Sequence, residues 1–157
     1  MRRMWAARPR TPGTFGKTAV IGALERGGKV HAKVIDNTDT KTLDKFVHTV
    51  VAPKASVSTD DHSRYRHLGR TFEHGVVHHS AGEYVNGTTH TNSIEGYWSL
   101  LKRQIVGIHH YVSPKHLNRY VSESAWRFNL RDIGEGARVN ELLASTTGRL
   151  RYKDLIA

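Results

Sequence analysis

The spacing of apolar positions along the 157-residue chain changes period several times, and each change predicts a new element. Lys17 to Leu24, with Ala19-Val20-Ile21-Gly22-Ala23-Leu24 at its heart, is a near-continuous apolar run and predicts a buried strand. Arg26-Gly27-Gly28 supplies a tight turn. Lys29 to Ile35 then alternates polar and apolar residues, which predicts a partner strand with one wet face and hence a hairpin. Asp36 to Asp39 reads as a turn ending in a helix cap. Leu43, Phe46, Val47 and Val50 recur at helical spacing within Thr40 to Val50, and Pro53 stops the run. Ala55 to Thr59 predicts a short strand that leads directly into Asp60-Asp61. A short helix over Arg64 to Leu68, a short strand over Gly75 to His78 and a polar loop from Ser80 to Thr89 follow.

The second half is helical. Ile94, Trp98, Leu101 and Ile105 form one apolar stripe and predict a helix over about Asn92 to Val106, with Thr91 or Asn92 as cap and Gly107 as its C-cap. Ser113-Pro114 is a strong helix start, a capping residue followed by proline at the first helical position. Leu117, Tyr120, Val121, Ser124 and Phe128 line one face of that helix. Gly134 and Gly136 interrupt the pattern, Val139 to Ala144 predicts a short helix, and Gly148 to Ile156 carries no clear pattern. From Met1 to Gly16 the pattern predicts no regular structure, only a basic arm with prolines at 9 and 12. Strand, strand, helix, strand, then helices imply an α/β or α+β layer with helices on a sheet.

Composition narrows the partner. The formal charge is +10 and the isoelectric point about 10.2, which favours a polyanion, most simply nucleic acid. The chain has no cysteine, which excludes a disulfide framework and a thiolate metal site and fits a reducing cytoplasm. No apolar run approaches a membrane span, and the arginines near Met1 are not followed by the apolar core of a signal peptide.

Two carboxylates carry the candidate chemistry. Asp60 ends a short strand and Glu95 begins a helix, both rigid places from which to offer an acid. Converging carboxylates hold Mg²⁺ through oxygen and leave positions for phosphate and water. Two such metals promote phosphoryl transfer. Each residue also has a plainer account. Asn92-Ser93-Ile94-Glu95 resembles a capping box, and one of Asp60 and Asp61 is expected to cap the following helix. Spacing alone leaves both accounts open. Lys102 and Arg103 follow on the same helix and add positive charge, with Lys102 two turns beyond Glu95 on the same face.

The linked motifs go further than any one of them. Ser58-Thr59-Asp60-Asp61, His79-Ser80-Ala81-Gly82-Glu83-Tyr84-Val85, and His90-Thr91-Asn92-Ser93-Ile94-Glu95-Gly96-Tyr97-Trp98 through Arg103 resemble the ISXO group of DDE-type insertion-sequence transposases. So do Ser113-Pro114-Lys115-His116-Leu117-Asn118-Arg119-Tyr120-Val121, the segment Arg127-Phe128-Asn129-Leu130-Arg131, and the hairpin around Lys17 to Val30. The resemblance runs from about Gly16 to Arg131. It implies a ribonuclease-H-like, integrase-type mixed sheet with flanking helices, Mg²⁺ dependence (with Mn²⁺ as a substitute), and cleavage and joining of DNA strands at transposon ends. It matches Asp60 and Glu95 to the second and third catalytic, metal-binding carboxylates. His90 and Asn92 match motif positions that contact phosphate or substrate or hold Glu95, and capping remains an alternative for Asn92.

The chain departs from the family at one place. The family's first Asp lies on a strand upstream of the hairpin, and no Asp or Glu precedes Glu25 here. The expectation is therefore a transposase-derived chain that is truncated, lacks its first strand and is inactive alone. On this division, residues 1–15 are a basic flexible arm, 16–133 a partial ribonuclease-H-like catalytic domain, and 134–157 a C-terminal helix and tail. The partners implied are transposon and target DNA, further copies of the chain or a full-length transposase, in a bacterial cytoplasm at the nucleoid. A catalytically dead DNA-binding module of the same fold is the alternative. A histidine-rich metal protein is a third and weaker reading of the 11 His, which lack zinc-hydrolase spacing.

Overall fold

The computed structural model of the chain describes residues 2–7, 18–60, 63–77, 85–86, 89–90, 92–146, 148 and 152. Its centre is a five-stranded mixed sheet. In chain order the strands are β1 (Arg2–Ala7), β2 (Thr18–Leu24), β3 (Val30–Ile35), β4 (Ser56–Asp60) and β5 (Glu73–Val77). Across the sheet they lie in the order β3-β2-β1-β4-β5. β1 and β2 pair antiparallel, as do β2 and β3, while β4 runs parallel to β1 and to β5.

The predicted hairpin forms as its pattern requires. β2 is buried on both faces, and in β3 the polar His31 and Lys33 face outward between apolar neighbours. Gly27 turns the chain at φ +66°, a left-handed angle that favours a residue without a Cβ. Helix α1 (Thr40–Val50) keeps its predicted bounds. Asp39 caps it by accepting a hydrogen bond from the Thr42 amide at 2.6 Å. The short strand expected over Gly75 to His78 lies slightly earlier, as β5. The turn between β4 and β5 contains a 3₁₀ segment, Ser63–Arg70.

Strand β1 corrects two expectations. Residues Arg2–Ala7 are not an unstructured basic arm, and the sheet does not lack a first strand. This segment pairs with β2 over six consecutive residues, from Arg2 opposite Ala23 to Ala7 opposite Thr18. Nothing in Arg-Arg-Met-Trp-Ala-Ala carries a two-residue period. The ladder that β2 offers, together with the end of β4, decides its conformation, which is how tertiary context overrides propensity in sheets. The remainder of the expected arm, residues 8–15, lies outside the described residues.

Two apolar layers cover the sheet. On one face Ile21, Ala23 and Ile35 pack with Leu43, Phe46 and Val47 of α1 and with Val57, Tyr65, Leu68 and Phe72. On the other, Val20, Leu24 and Val30 pack with Ile94, Tyr97, Trp98 and Leu101 of α2 (Asn92–Arg103) and with Leu117, Val121 and Ala125 of α3 (Pro114–Asn129). Val20 and Ile21 thus point to opposite layers, as period-two alternation demands. The predicted stripe Ile94, Trp98, Leu101 and Ile105 is buried throughout. α3 starts at Pro114 behind Ser113, as expected.

Gly107 does not end the second helix. The chain widens into a π-helical turn over Gln104–Ile108, and His110 takes the left-handed position at φ 58°. The loop expected over Ser80 to Thr89 contains part of a small hairpin, β6 (Val85–Asn86) with β7 (Thr89–His90). Its residues 80–84 and 87–88 lie outside the described residues. α4 (Glu135–Ser145) is longer than predicted and buries no residue. Arg138 ties its start to α3 by donating to the Leu130 and Ile133 carbonyls. Among the described residues no helix is long and apolar enough to cross a membrane.

Candidate functional site

Asp60 holds the last place in β4. Each β4 residue is registered against one of β5, ending with Asp60 opposite Val77. The preceding residue, Thr59, is fully buried, and its hydroxyl meets His74 Nε2 at 2.8 Å. That bond fastens the end of β4 to β5 and fixes the backbone from which Asp60 departs. On its other side β4 meets β1 at Arg2 opposite Thr59, so Asp60 comes level with Arg3. Arg3 in turn pairs with Gly22, and Gly22 with Ala32. Asp60 and Gly22 therefore stand two strands apart in one row, about 10 Å between Cα atoms at ordinary sheet spacing.

Gly22 is where helix α2 touches the sheet. A Cβ built on it would stand 2.7 Å from Trp98 Cη2 and 2.8 Å from Cζ2. The indole lies directly on the strand, and only a residue without a side chain permits that approach. Glu95 sits one helical turn before Trp98, in the first turn of α2, and is half-buried. α2 packs against β1 and β2. The Trp98–Gly22 contact thus sets the height and rotation at which α2 carries Glu95 over the sheet.

The same helix buries two polar groups without partners, the Tyr97 hydroxyl and the Trp98 indole Nε1. Burial pushes the Tyr97 phenol up to about 12, with the Ser124 hydroxyl acting in the other direction. The approach of Ser124 falls short of hydrogen-bond geometry, so the Tyr97 hydroxyl is buried and unsatisfied and burial dominates. Tyr97 packs edge-on against Phe128 of α3 at 5.4 Å between ring centres. The apolar stripe did not include Tyr97. Its helical neighbours Ile94 and Leu101, at minus three and plus four, are the signal that places it on the same face.

The other predicted site residues are spread along the same segment. His90 is in β7, paired with Val85. Asn92 is the first residue of α2, within the helix rather than ahead of it. Residue 91, the other candidate cap, lies outside the described residues, as do Asp61 and His79. Lys102 and Arg103 are exposed in the last turn of α2. Arg127 on α3 pairs with Glu123 one turn away at 2.9 Å. Arg131 lies over the Phe128 ring at 4.4 Å and donates to the Gly28 and Phe128 carbonyls.

Two asparagines have a structural role that sequence reasoning did not assign. Asn129 accepts from the Val30 amide at 2.7 Å and donates to the Val30 carbonyl at 2.9 Å. Asn118 accepts from the Val34 amide at 3.0 Å. β3 is the outer strand of the sheet, and these side chains occupy the backbone groups that an exposed edge would offer to another chain. Several of the described histidines are taken up by side-chain contacts. His74 meets Thr59, His109 packs edge-on against Tyr120, and His48 and His67 both turn Nε2 to Asp44 at 3.4 and 3.0 Å. Asp44 takes the point between the last two rings. Among the described residues no group of three or more His, Asp or Glu is arranged to hold a metal ion.

A mixed sheet with helices on both faces, an acid at the end of a parallel strand and another opening the covering helix define an α/β domain of basic charge. Residues 5–129 match the ISXO2-like transposase domain, and the chain belongs to that family. It is also 28% identical over 106 residues, 67% of its length and 85% of the relative's, to an "Uncharacterized transposase-like protein" of Haemophilus influenzae.

Proposed function

We propose that this chain is the DNA-handling core of an insertion-sequence transposase of ribonuclease-H-like fold, one that binds DNA with Mg²⁺ and cuts it poorly or not at all. The strand order β3-β2-β1-β4-β5 carries the reading, with β1 central, antiparallel to β2 and parallel to β4. It sets Asp60 beside the middle of the sheet and Glu95 on the helix that covers it. Family membership supplies the polyanionic partner that the +10 charge already called for.

The donor set decides what a metal can do here. Asp60 and Glu95 are the carboxylates that would hold Mg²⁺, and the ion would neutralise charge on a DNA phosphate. Mg²⁺ is held by one or two carboxylates when phosphate oxygens and water complete its octahedron, so two acids fit a cation bound jointly with DNA. The central strand adds no third, because no Asp or Glu precedes Glu25. A pair of metals about 3.5–4 Å apart needs a bridging acid from a further element, and phosphoryl transfer of the two-metal kind depends on that pair. Arg2 and Arg3 stand in β1 instead. Lys102 and Arg103 extend the positive surface from the end of α2 and would meet phosphate without reading sequence.

Duplex binding followed by fluorescence anisotropy, with and without Mg²⁺, tests this. The expected result is DNA binding strengthened by Mg²⁺, with the increment lost in Asp60→Asn and in Glu95→Gln. Replacing Lys102 and Arg103 by Ala should weaken binding equally on all sequences and lower the salt slope by about 1 per lost phosphate contact. Absence of DNA binding would overturn the whole reading. Mg²⁺-dependent nicking of supercoiled DNA by the chain, abolished in both carboxylate variants, would overturn the loss of cutting.

A further inference from the structure

Large apolar side chains come to the surface where α2 ends. Leu100, Val106, Ile108 and Tyr111 are all exposed there, Val106 by 60%, Ile108 by 70% and Tyr111 by 54%. The backbone is unusual over the same stretch. α2 widens into the π-helical turn over Gln104–Ile108, and His110 stands at φ 58°, a left-handed angle that a side chain rarely adopts. Such conformations persist only where the surrounding structure holds them, and they gather at functional sites. Three anchors hold this one. Ile105 is buried in the core with Leu117 and Val121, and Val112 packs against the same core. His109 packs edge-on against Tyr120 at 4.6 Å between ring centres. Val106 and Ile108 lie outward between the first two anchors in the chain, and Tyr111 between the last two. The apolar surface is therefore presented from a fixed frame, with little ordering left to do on binding.

The charge around this surface has one sign. From Gly96 to Ser122, 27 residues, the chain has no Asp or Glu, against four Lys or Arg and three His. Lys102 and Arg103 precede the turn and Lys115 and Arg119 follow it, all four exposed. Helix α4 also exposes apolar residues, Val139 and Leu143, but there Glu135 and Glu141 accompany them. An apolar tip framed by cations fits a polyanion that also offers flat apolar faces. DNA offers those faces only where bases are unstacked, and apolar side chains then fill the opened step.

We propose that the π-helical turn and the loop to α3 take unstacked bases of DNA. Tyr111 is the stacking face, Val106 and Ile108 fill the opened step, and Lys102, Arg103 and Lys115 meet the flanking phosphates. This role rests on the chain binding DNA, the proposed function, and adds to it a preference for opened over fully paired DNA. It uses no metal and neither Asp60 nor Glu95.

Fluorescence anisotropy with two fluorescein-labelled duplexes of equal length, one fully paired and one with a central bulge of unpaired thymidines, tests it. The chain should bind the bulged duplex about tenfold more tightly. With Ile108→Ser and Tyr111→Ser together the ratio should fall to about one, while Tyr111→Phe alone, which keeps the ring face, should hold it. Both positions are exposed, so the variants fold. Equal affinity for the two DNAs would overturn the proposal and leave DNA binding standing, and so would a preference that survives in the double variant. Binding to neither DNA would overturn the proposed function and this role with it. Self-association of the DNA-free chain in sedimentation, lost in the double variant, would assign the surface to a second copy and overturn the role in DNA binding.

Discussion

Replacing Gly22 by Ala adds one methyl group where the Trp98 indole already lies. The built Cβ stands 2.7 Å from Cη2 and 2.8 Å from Cζ2, and 3.5 Å from the His31 carbonyl oxygen. Carbon atoms rest at about 3.5–4.0 Å, so the ring must move by roughly 1 Å. Trp98 is buried among Ile94, Leu101 and Val20, which leaves it no free direction. Overpacking of this kind costs about 1–3 kcal/mol. Trp98→Phe trims the ring at the clashing end and should cost roughly 1–2 kcal/mol in lost burial and a small cavity. Together the two changes relieve each other. The double variant should be more stable than the sum of the single losses predicts by about 1 kcal/mol or more, the sign of direct contact. Urea unfolding midpoints at constant slope measure all four proteins. Additivity within about 0.5 kcal/mol would refute the idea that Trp98 on Gly22 sets the seat of α2.

Further expectations concern single groups. Tyr97 keeps its proton in the folded chain up to about 12 but releases it near 10 when unfolded. Stability should therefore fall as pH rises from 10 towards 12, by up to roughly 3 kcal/mol. Tyr97→Phe should remove that component and, with no unsatisfied hydroxyl to bury, be equal or more stable at neutral pH by about 1 kcal/mol. An identical alkaline profile in the two proteins would contradict this. Asn129→Ala removes both bonds to Val30 and should cost about 1–3 kcal/mol, with faster amide exchange at Val30 and concentration-dependent association through the uncovered edge. Thr59→Val should loosen the end of β4 by about 1 kcal/mol. Under the proposed function it should also weaken the Mg²⁺ increment in DNA binding without abolishing DNA binding itself.

Much of this protein is local and was legible in its residues. Helix α1 has its predicted bounds because Asp39 caps it and Leu43, Phe46 and Val47 repeat on one face. The hairpin follows from a change of period around Gly27, and the stripe on α2 buries as its spacing requires. Glu95 and Asp60 were singled out by position in an element and by linked motifs. Local pattern could not supply what depends on distant partners. Arg2–Ala7 is a strand because β2 and β4 hold it. Asn118 and Asn129 gain meaning only where α3 crosses the outer edge of β3. The second helix does not stop at Gly107 but widens into a π-helical turn over Gln104–Ile108, with Ile105 in the core shared with Leu117 and Val121. Gly22 is required by an indole 76 residues later in the chain. Propensity, capping and period act over one or two turns and are written in consecutive residues. Pairing, close approach and edge protection arise from groups brought together by burial, and only the folded chain decides them.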